Sequence, residues 1–315
     1  MRLKAANLLQ KRYHSMHKPN LRSAILLLAL AIAVLTPPTA RAQDLGRLLE
    51  QASIARAYRH VSPGEMLQVE YLFLRVFQGE RSTQLRQEWL SLGFNMQLVN
   101  DHGTEFVVLY ESEGKRYGRG LYAFRQALPY PLALQAPHSF KEYYTRQIVL
   151  DMMREGNVAA AAWNTVPRLI KQYGATIDAD LAHQEYSFFK AFSRAFAIHY
   201  AHGRILQIHG FAQQKRTTQA GATADMIISS GRQIPTPAVL AAGQCLKQRI
   251  AGPVHIYPRD VLELGATTNA IGRALMQLGH SGFVHLEISR GLRERMRNNA
   301  SMRQSVLQCM ATTRS

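Results

Sequence analysis

The sequence predicts an α/β protein of three layers, a mainly parallel or mixed sheet with helices on both faces. Two observations carry this. Between residues 130 and 315, short apolar runs at 132–136, 205–208, 226–229, 254–257 and 283–288 alternate with helix-length periodic segments at 184–200, 237–250, 268–278 and 292–310. Such alternation is the pattern of a sheet covered on both faces. No repeat, low-complexity tract or linker interrupts it, and the chain is long enough for one large core.

The elements follow in order. Residues 1–42 read as a secretory signal peptide. Arg2, Lys4, Lys11, Arg12, Lys18 and Arg22 stand without an acidic neighbour, an apolar run covers 23–35, and Thr36-Pro-Pro-Thr ends it before Ala40-Arg41-Ala42. Small side chains at 40 and 42 place cleavage between Ala42 and Gln43. The run is shorter than the roughly 20 residues of a spanning helix, so the alternative of a retained anchor is disfavoured. Met16 offers an alternative start. No lipid-attachment cysteine follows the run, and no outer-membrane strand pattern is present. The expected location is the periplasm or the exterior, with no transmembrane anchor after cleavage.

Of the 38 Lys and Arg, seven lie in this segment, with none of the 21 acids, so the mature chain remains basic. Its basic residues are scattered among acids rather than gathered in a stripe with aromatics, which argues against nucleic acid as partner. A basic surface suits anionic cell-wall polymer or membrane instead. Cys245 and Cys309 fit an oxidising compartment and permit one disulfide, although two buried thiols are equally compatible with the sequence.

Residues 43–129 form a lead-in that is part of the same domain. A helical or mixed start is followed by runs at 94–99, 105–110 and 118–124, separated by turn residues and reading as an antiparallel meander. Residues 130–315 are the α/β core. In such sheets ligands sit beyond the carboxyl ends of the strands, and three exits carry reactive side chains. In the first, Pro137-His138-Ser-Phe-Lys-Glu142, Pro137 suits a first helical residue, and a helix from there sets His138 and Glu142 at i and i+4 on one face. In the second, Gln207-Ile-His209-Gly210-Phe211, glycine after histidine lets the backbone turn under a ligand. In the third, Phe283-Val-His285-Leu-Glu287-Ile-Ser289, alternation sets Glu287 opposite the apolar Val284, Leu286 and Ile288. A carboxylate there is costly unless paired or functional.

Two histidines and one carboxylate hold zinc with an open position, and a separate carboxylate can serve as general base. That chemistry is hydrolysis of an amide or peptide bond. The same residues carry a resemblance. Pro-His-Ser-Phe-x-Glu-x-x-Thr, then Gln-Ile-His-Gly-Phe, then His-Leu-Glu-Ile-Ser-Arg-Gly-Leu-Arg resembles the zinc-carboxypeptidase superfamily, especially its poly-gamma-glutamate hydrolase and N-formylglutamate amidohydrolase-like branches, over about residues 130–297. The resemblance implies a carboxypeptidase-like fold, Zn²⁺ held by His138, Glu142 and His209, and Glu287 as the base that activates water. It also implies Arg168 as a residue that binds a substrate carboxylate or polarises its carbonyl. Arg290, with Arg293, follows Glu287 closely and suits an anionic substrate group. Asp180 and His183, at i and i+3, are either an alternative ligand set or a pair supporting the ligands.

His199, His202, His255 and His280 have no partner at ligand spacing, and Tyr143 and Tyr144 read as readily as packing residues as oxyanion donors. The chain lacks a Gly-x-Ser-x-Gly elbow, a Rossmann glycine fingerprint and a P-loop. The expectation is an exported zinc-dependent hydrolase acting on a peptide or cell-wall-derived amide, with acidic, glutamate-containing substrates suggested by charge. The competing readings are a non-catalytic periplasmic protein that binds peptide or cell-wall fragments on the same fold, and a structural component of an envelope complex.

Overall fold

The computed structural model describes residues 44–53, 55 and 57–311, so the expected signal peptide and the expected cleavage point lie outside the described residues. The lead-in is helical: α1 (Leu45–Ala52), α2 (Pro63–Phe77) and α3 (Thr83–Ser91). Helix α2 starts where its sequence says it should. The Ser62 side chain accepts the Glu65 N–H, and Pro63 occupies the first turn, where its missing N–H costs nothing.

Strands β1 (Phe94–Asp101), β2 (Thr104–Glu111) and β3 (Leu121–Arg125) form an antiparallel meander and lead into β4 (Tyr130–Ala136). There follow α4 (Thr145–Glu155), β5 (Val158–Trp163), the small hairpin β6 (Leu169–Gln172) and β7 (Ala175–Asp178), α5 (Phe188–His199) and β8 (Arg204–Phe211). The chain continues through α6 (Gln219–Thr223), β9 (Met226–Ser229), α7 (Pro237–Arg249), β10 (Val254–Ile256), α8 (Ala270–Gln277), β11 (Phe283–Ser289), α9 (Arg290–Asn298) and α10 (Ala300–Ala311).

Nine strands make one mixed sheet, ordered β1-β2-β3-β5-β4-β8-β11-β9-β10. Its centre, β5-β4-β8-β11, is parallel, and β9 pairs antiparallel with β11. The α/β class expected from the sequence is therefore observed. One central strand departs from its local preference. β5 reads Val-Ala-Ala-Ala-Ala-Trp, and alanine favours helix, yet all six residues are buried between two strands and both helical layers. Tertiary burial overrides propensity here. The expected helix at 292–310 is two helices, broken at Asn299, whose φ of −133° and ψ of 99° leave the helical region.

Each face of the sheet buries its own core. On one, Leu134, Leu206, Leu286 and Ile288 pack with Ile148 and Met152 of α4, Val239 and Leu246 of α7, Leu292 of α9 and Val306 of α10. On the other, Ala133, Ile205 and Phe283 pack with Phe73 of α2, Trp89 of α3, Phe192 of α5 and Leu275 of α8. Phe73 is the hub of the second core, with ring centroids 4.9 Å from Trp89, 4.7 Å from Tyr122 and 5.6 Å from Phe192. Cys245 of α7 and Cys309 of α10 form a disulfide. Among the described residues, no helix is long and apolar enough to cross a membrane.

The topology creates a crevice. From β4 the chain crosses through α4 on one face to β5, then returns through α5 on the other face to β8, on the opposite side of β4. The order of strands thus reverses at β4 and β8, and ligand crevices open beyond the carboxyl ends of strands at such a point.

Candidate metal and hydrolytic site

The turn that leaves β4 runs from Pro137 to Tyr144, where a helix was expected. The N–H groups of Lys141 and Glu142 both donate to the His138 carbonyl, at 3.2 and 3.1 Å, but this single helical turn does not propagate. Asn164, at the end of β5, holds it back: its Oδ1 accepts the Ser139 N–H at 3.0 Å and the Ser139 hydroxyl at 2.6 Å, and its amide donates to the Val166 carbonyl. Tyr144 then takes a left-handed φ of 74° before α4 begins at Thr145. His138 and Glu142 still meet, because one turn is enough to stack residues i and i+4.

Glu142 bridges two histidines. Its Oε1 lies 3.0 Å from His138 Nδ1, and its Oε2 lies 3.4 Å from His209 Nδ1 while accepting the Gly210 N–H at 2.9 Å. The two rings meet edge to face, with centroids 4.8 Å apart. On its far side, His138 Nε2 is 2.7 Å from Asp180 Oδ1, and the other oxygen of Asp180 is 3.1 Å from His183 Nδ1. Glu142 therefore touches both histidines, whereas Asp180 stands behind one of them and His183 is half exposed.

Glu287 stands beside this cluster, on β11, paired in parallel register with His209 on β8. One carboxylate oxygen is 3.7 Å from His285 Nε2, and the other is buried without a hydrogen-bond partner. His285 belongs to the third exit motif but was assigned no role from its sequence. Its ring centroid lies 4.6 Å from that of His209. The signal that could have found it is its position two residues before Glu287, on the same strand face.

The protonation pattern follows from these contacts. Burial, the largest influence on His138, opposes its charge, but the hydrogen bonds to Asp180 and Glu142 and their attraction prevail and raise its pKa to about 9. Burial also works against the anions at Glu142 and Asp180, yet their histidine partners hold both well below the carboxylate range. Burial pushes His209 and His285 down, against the attraction of Glu142. Burial, then the charge of Glu142, raises Glu287 to about 8.

His138, Glu142 and His209 present ligand-capable atoms within 4.8 Å of one another, and so do His138, Asp180 and His183, and His209, His285 and Glu287. Two imidazoles and a carboxylate around one point are a donor set for a borderline divalent cation. In the protein alone, the proton on His138 supplies the positive charge that this set demands. Cation binding there would release a proton.

His138, Glu142 and Glu287 line a cavity of about 570 Å³ whose other walls include Lys141, Arg168, Lys215, Arg216, Arg290 and Arg293. The expected site residues thus gather at one cavity, with His209 beneath its Gly210 wall. Arg168 and Arg290 are exposed at the rim, and among the described residues neither has an ion-pair partner. Arg293 is different. It is buried, donating from Nε to the Tyr143 carbonyl at 2.9 Å and from Nη1 to the Ile288 carbonyl, so it ties the first exit to the third. Gly210 lies within a strand and not in the sharp turn expected of it. Its role is room: a Cβ there would lie 2.1 Å from Arg293 Nη1.

No protein-family model matches the sequence, and no curated protein matches it either. Among solved structures, an N-formylglutamate amidohydrolase from Ralstonia eutropha is similar over 61% of this chain and 97% of its own, at 11% identity and a TM-score of 0.41. A Burkholderia mallei protein provisionally named a carboxypeptidase aligns over 74% of this chain and 69% of its own, at 13% identity and a TM-score of 0.40. A Shewanella amazonensis protein provisionally named a metallopeptidase aligns over 73% and 94%, at 12% identity and a TM-score of 0.34.

Proposed function

We propose that this protein is an exported, zinc-dependent hydrolase of amide or peptide bonds whose substrates carry negative charge. The observation that carries the reading is Glu142 bridging His138 and His209 at the mouth of a cationic cavity, with the buried Glu287 on the neighbouring strand. His138, Glu142 and His209 would hold the ion, and Asp180 would orient His138 through Nε2. When bound, zinc would polarise the scissile carbonyl and acidify a water molecule.

The remaining work falls to the chain. Glu287 accepts a proton on its unpartnered oxygen and returns it to the leaving amine. Burial and Glu142 keep it protonated in the protein alone, and it ionises more readily once a cation offsets the charge of Glu142. Arg168 and Arg290, without carboxylate partners, bind the anionic group of the substrate. The cationic wall favours an acidic peptide or cell-wall fragment over a neutral one.

Elemental analysis of purified mature protein tests the metal reading directly, with about one equivalent of zinc expected. A screen of N-acylglutamates, glutamate-terminated peptides and cell-wall fragments for chelator-sensitive amine release tests the chemistry. Zinc-free protein that binds such fragments without cleaving them would support the binding-protein reading instead. Export is checked by N-terminal sequencing of periplasmic protein, with Gln43 expected first.

A further inference from the structure

Beneath the site, a buried row of polar side chains crosses the central strands where apolar residues would be expected. Gln135 on β4 and Gln207 on β8 are in register and fully buried, as is Asn269, which caps α8. The row is continuous. Asn269 Nδ2 lies 2.6 Å from Gln207 Oε1, Gln207 Nε2 lies 2.9 Å from Gln135 Oε1, and Gln135 Nε2 lies 2.8 Å from Ser193 Oγ. Gln207 Oε1 is also 2.9 Å from His209 Nε2.

Amide and hydroxyl groups can reverse such a chain, so something must set its direction. At one end, Ser193 Oγ is a rotor that contacts the Phe189 carbonyl and can serve either polarity. At the other end there is no freedom. Asn269 Oδ1 receives the N–H groups of Ile271 and Gly272, at 3.0 and 3.1 Å. Backbone N–H groups only donate, so that atom is the oxygen and the other must be the amide nitrogen. Nδ2 then donates to Gln207, which makes the facing Gln207 atom an oxygen, and an oxygen there requires hydrogen on His209 Nε2. In the neutral ring, the lone pair is left on Nδ1, the nitrogen that faces Glu142.

We infer that Asn269 is a positioning residue: acting through Gln207, it locks His209 in the Nε2–H tautomer and so keeps Nδ1 free to bind a cation. The consequence for metal binding rests on the proposed function. The tautomer does not, and the two can fail separately.

Asn269→Asp tests this because aspartate caps a helix as well as asparagine but offers Gln207 an acceptor where there was a donor. The chain should reverse, leaving His209 with hydrogen on Nδ1. In ¹⁵N spectra of metal-free protein, with the His209 signals assigned by difference from His209→Gln, wild type should show the bare nitrogen as Nδ1 and the variant as Nε2. Zinc affinity, measured by competition with a chelator, should fall about 10- to 100-fold, the usual scale for loss of a partner that orients a ligand. Asn269→Ser keeps a capping oxygen and removes the amide nitrogen that reaches Gln207. It should give a tautomer mixture and a smaller loss, and it serves if the aspartate variant does not fold. A purely structural role predicts no change in tautomer for either variant, and that result would overturn the inference. If wild type shows the Nε2–H tautomer but binds no zinc, the inference stands and the proposed function falls.

Discussion

Glu287 and His209 occupy paired positions on the adjacent parallel strands β11 and β8, yet the structure gives them opposite surroundings. Both ring nitrogens of His209 have polar partners, Glu142 and Gln207, whereas one oxygen of Glu287 has none. A buried, unpartnered carboxylate beside a histidine held between two polar groups is the arrangement expected if one group moves a proton and the other holds an ion.

The first prediction separates those roles. Glu287→Gln keeps the shape but removes the base, so hydrolysis should fall by about 10²-fold or more, with zinc content near wild type. His209→Ala should lose both zinc and activity. Activity assays paired with elemental analysis decide this. Wild-type turnover by Glu287→Gln would mean that Glu287 is only a buried carboxylate.

The same substitution makes a prediction about stability. Burial, then Glu142, raises the Glu287 pKa from 4.5 to about 8 in the metal-free protein. Below 4.5, folded and unfolded chains both keep the proton and the shift has no effect. Between 4.5 and about 8 only the unfolded chain releases it, so stability falls as pH rises and levels off above that range. Each unit of pKa difference is worth about 1.4 kcal/mol. Metal-free Glu287→Gln should therefore gain on wild type with rising pH, in urea denaturation at about pH 4, 6 and 8. A difference that does not vary with pH would refute the assignment.

A third prediction concerns Gly210. The Arg293 guanidinium occupies the space that a Cβ would fill, 2.1 Å from Nη1 and 2.3 Å from Cζ. Gly210→Ala should displace Arg293 from the Tyr143 and Ile288 carbonyls and cost about 1–3 kcal/mol. Gly291, where a Cβ meets nothing within 4 Å, is the control. Its replacement by Ala should be neutral or stabilising by about 0.5–1 kcal/mol. Thermal melts of the two variants make the comparison, and equal effects would show that the close approach is not limiting.

The fourth concerns the disulfide between α7 and α10. It spans 64 residues, and closing a loop of that length stabilises the fold by about 4 kcal/mol on the chain-entropy account. Replacing both cysteines with Ser should lower the urea midpoint accordingly while leaving zinc binding intact, because the bond lies on the face covered by α4, α7, α9 and α10. Loss of zinc from an otherwise folded variant would contradict that separation.

What the sequence determined by itself was local. Alternating apolar runs and helical segments specify an α/β chain, because burial on two faces imposes those periods. A polar side chain directly after an apolar strand marks an exit, and so the sequence alone singles out His138, Glu142, His209 and Glu287. Only the tertiary structure decided who meets whom. The order β4-β8-β11 sets side by side three exits that lie far apart in the chain, and Asn164 stops the helix that local preference would begin at Pro137. The alanine run of β5 is a strand because its neighbours bury it. Gln207 and Asn269 gave no signal because a polar residue in a buried row has meaning only through its partners, and Asn269 reaches Gln207 across 62 positions of sequence. Hydrogen-bond direction is a property of the assembled row, so no local pattern can encode it.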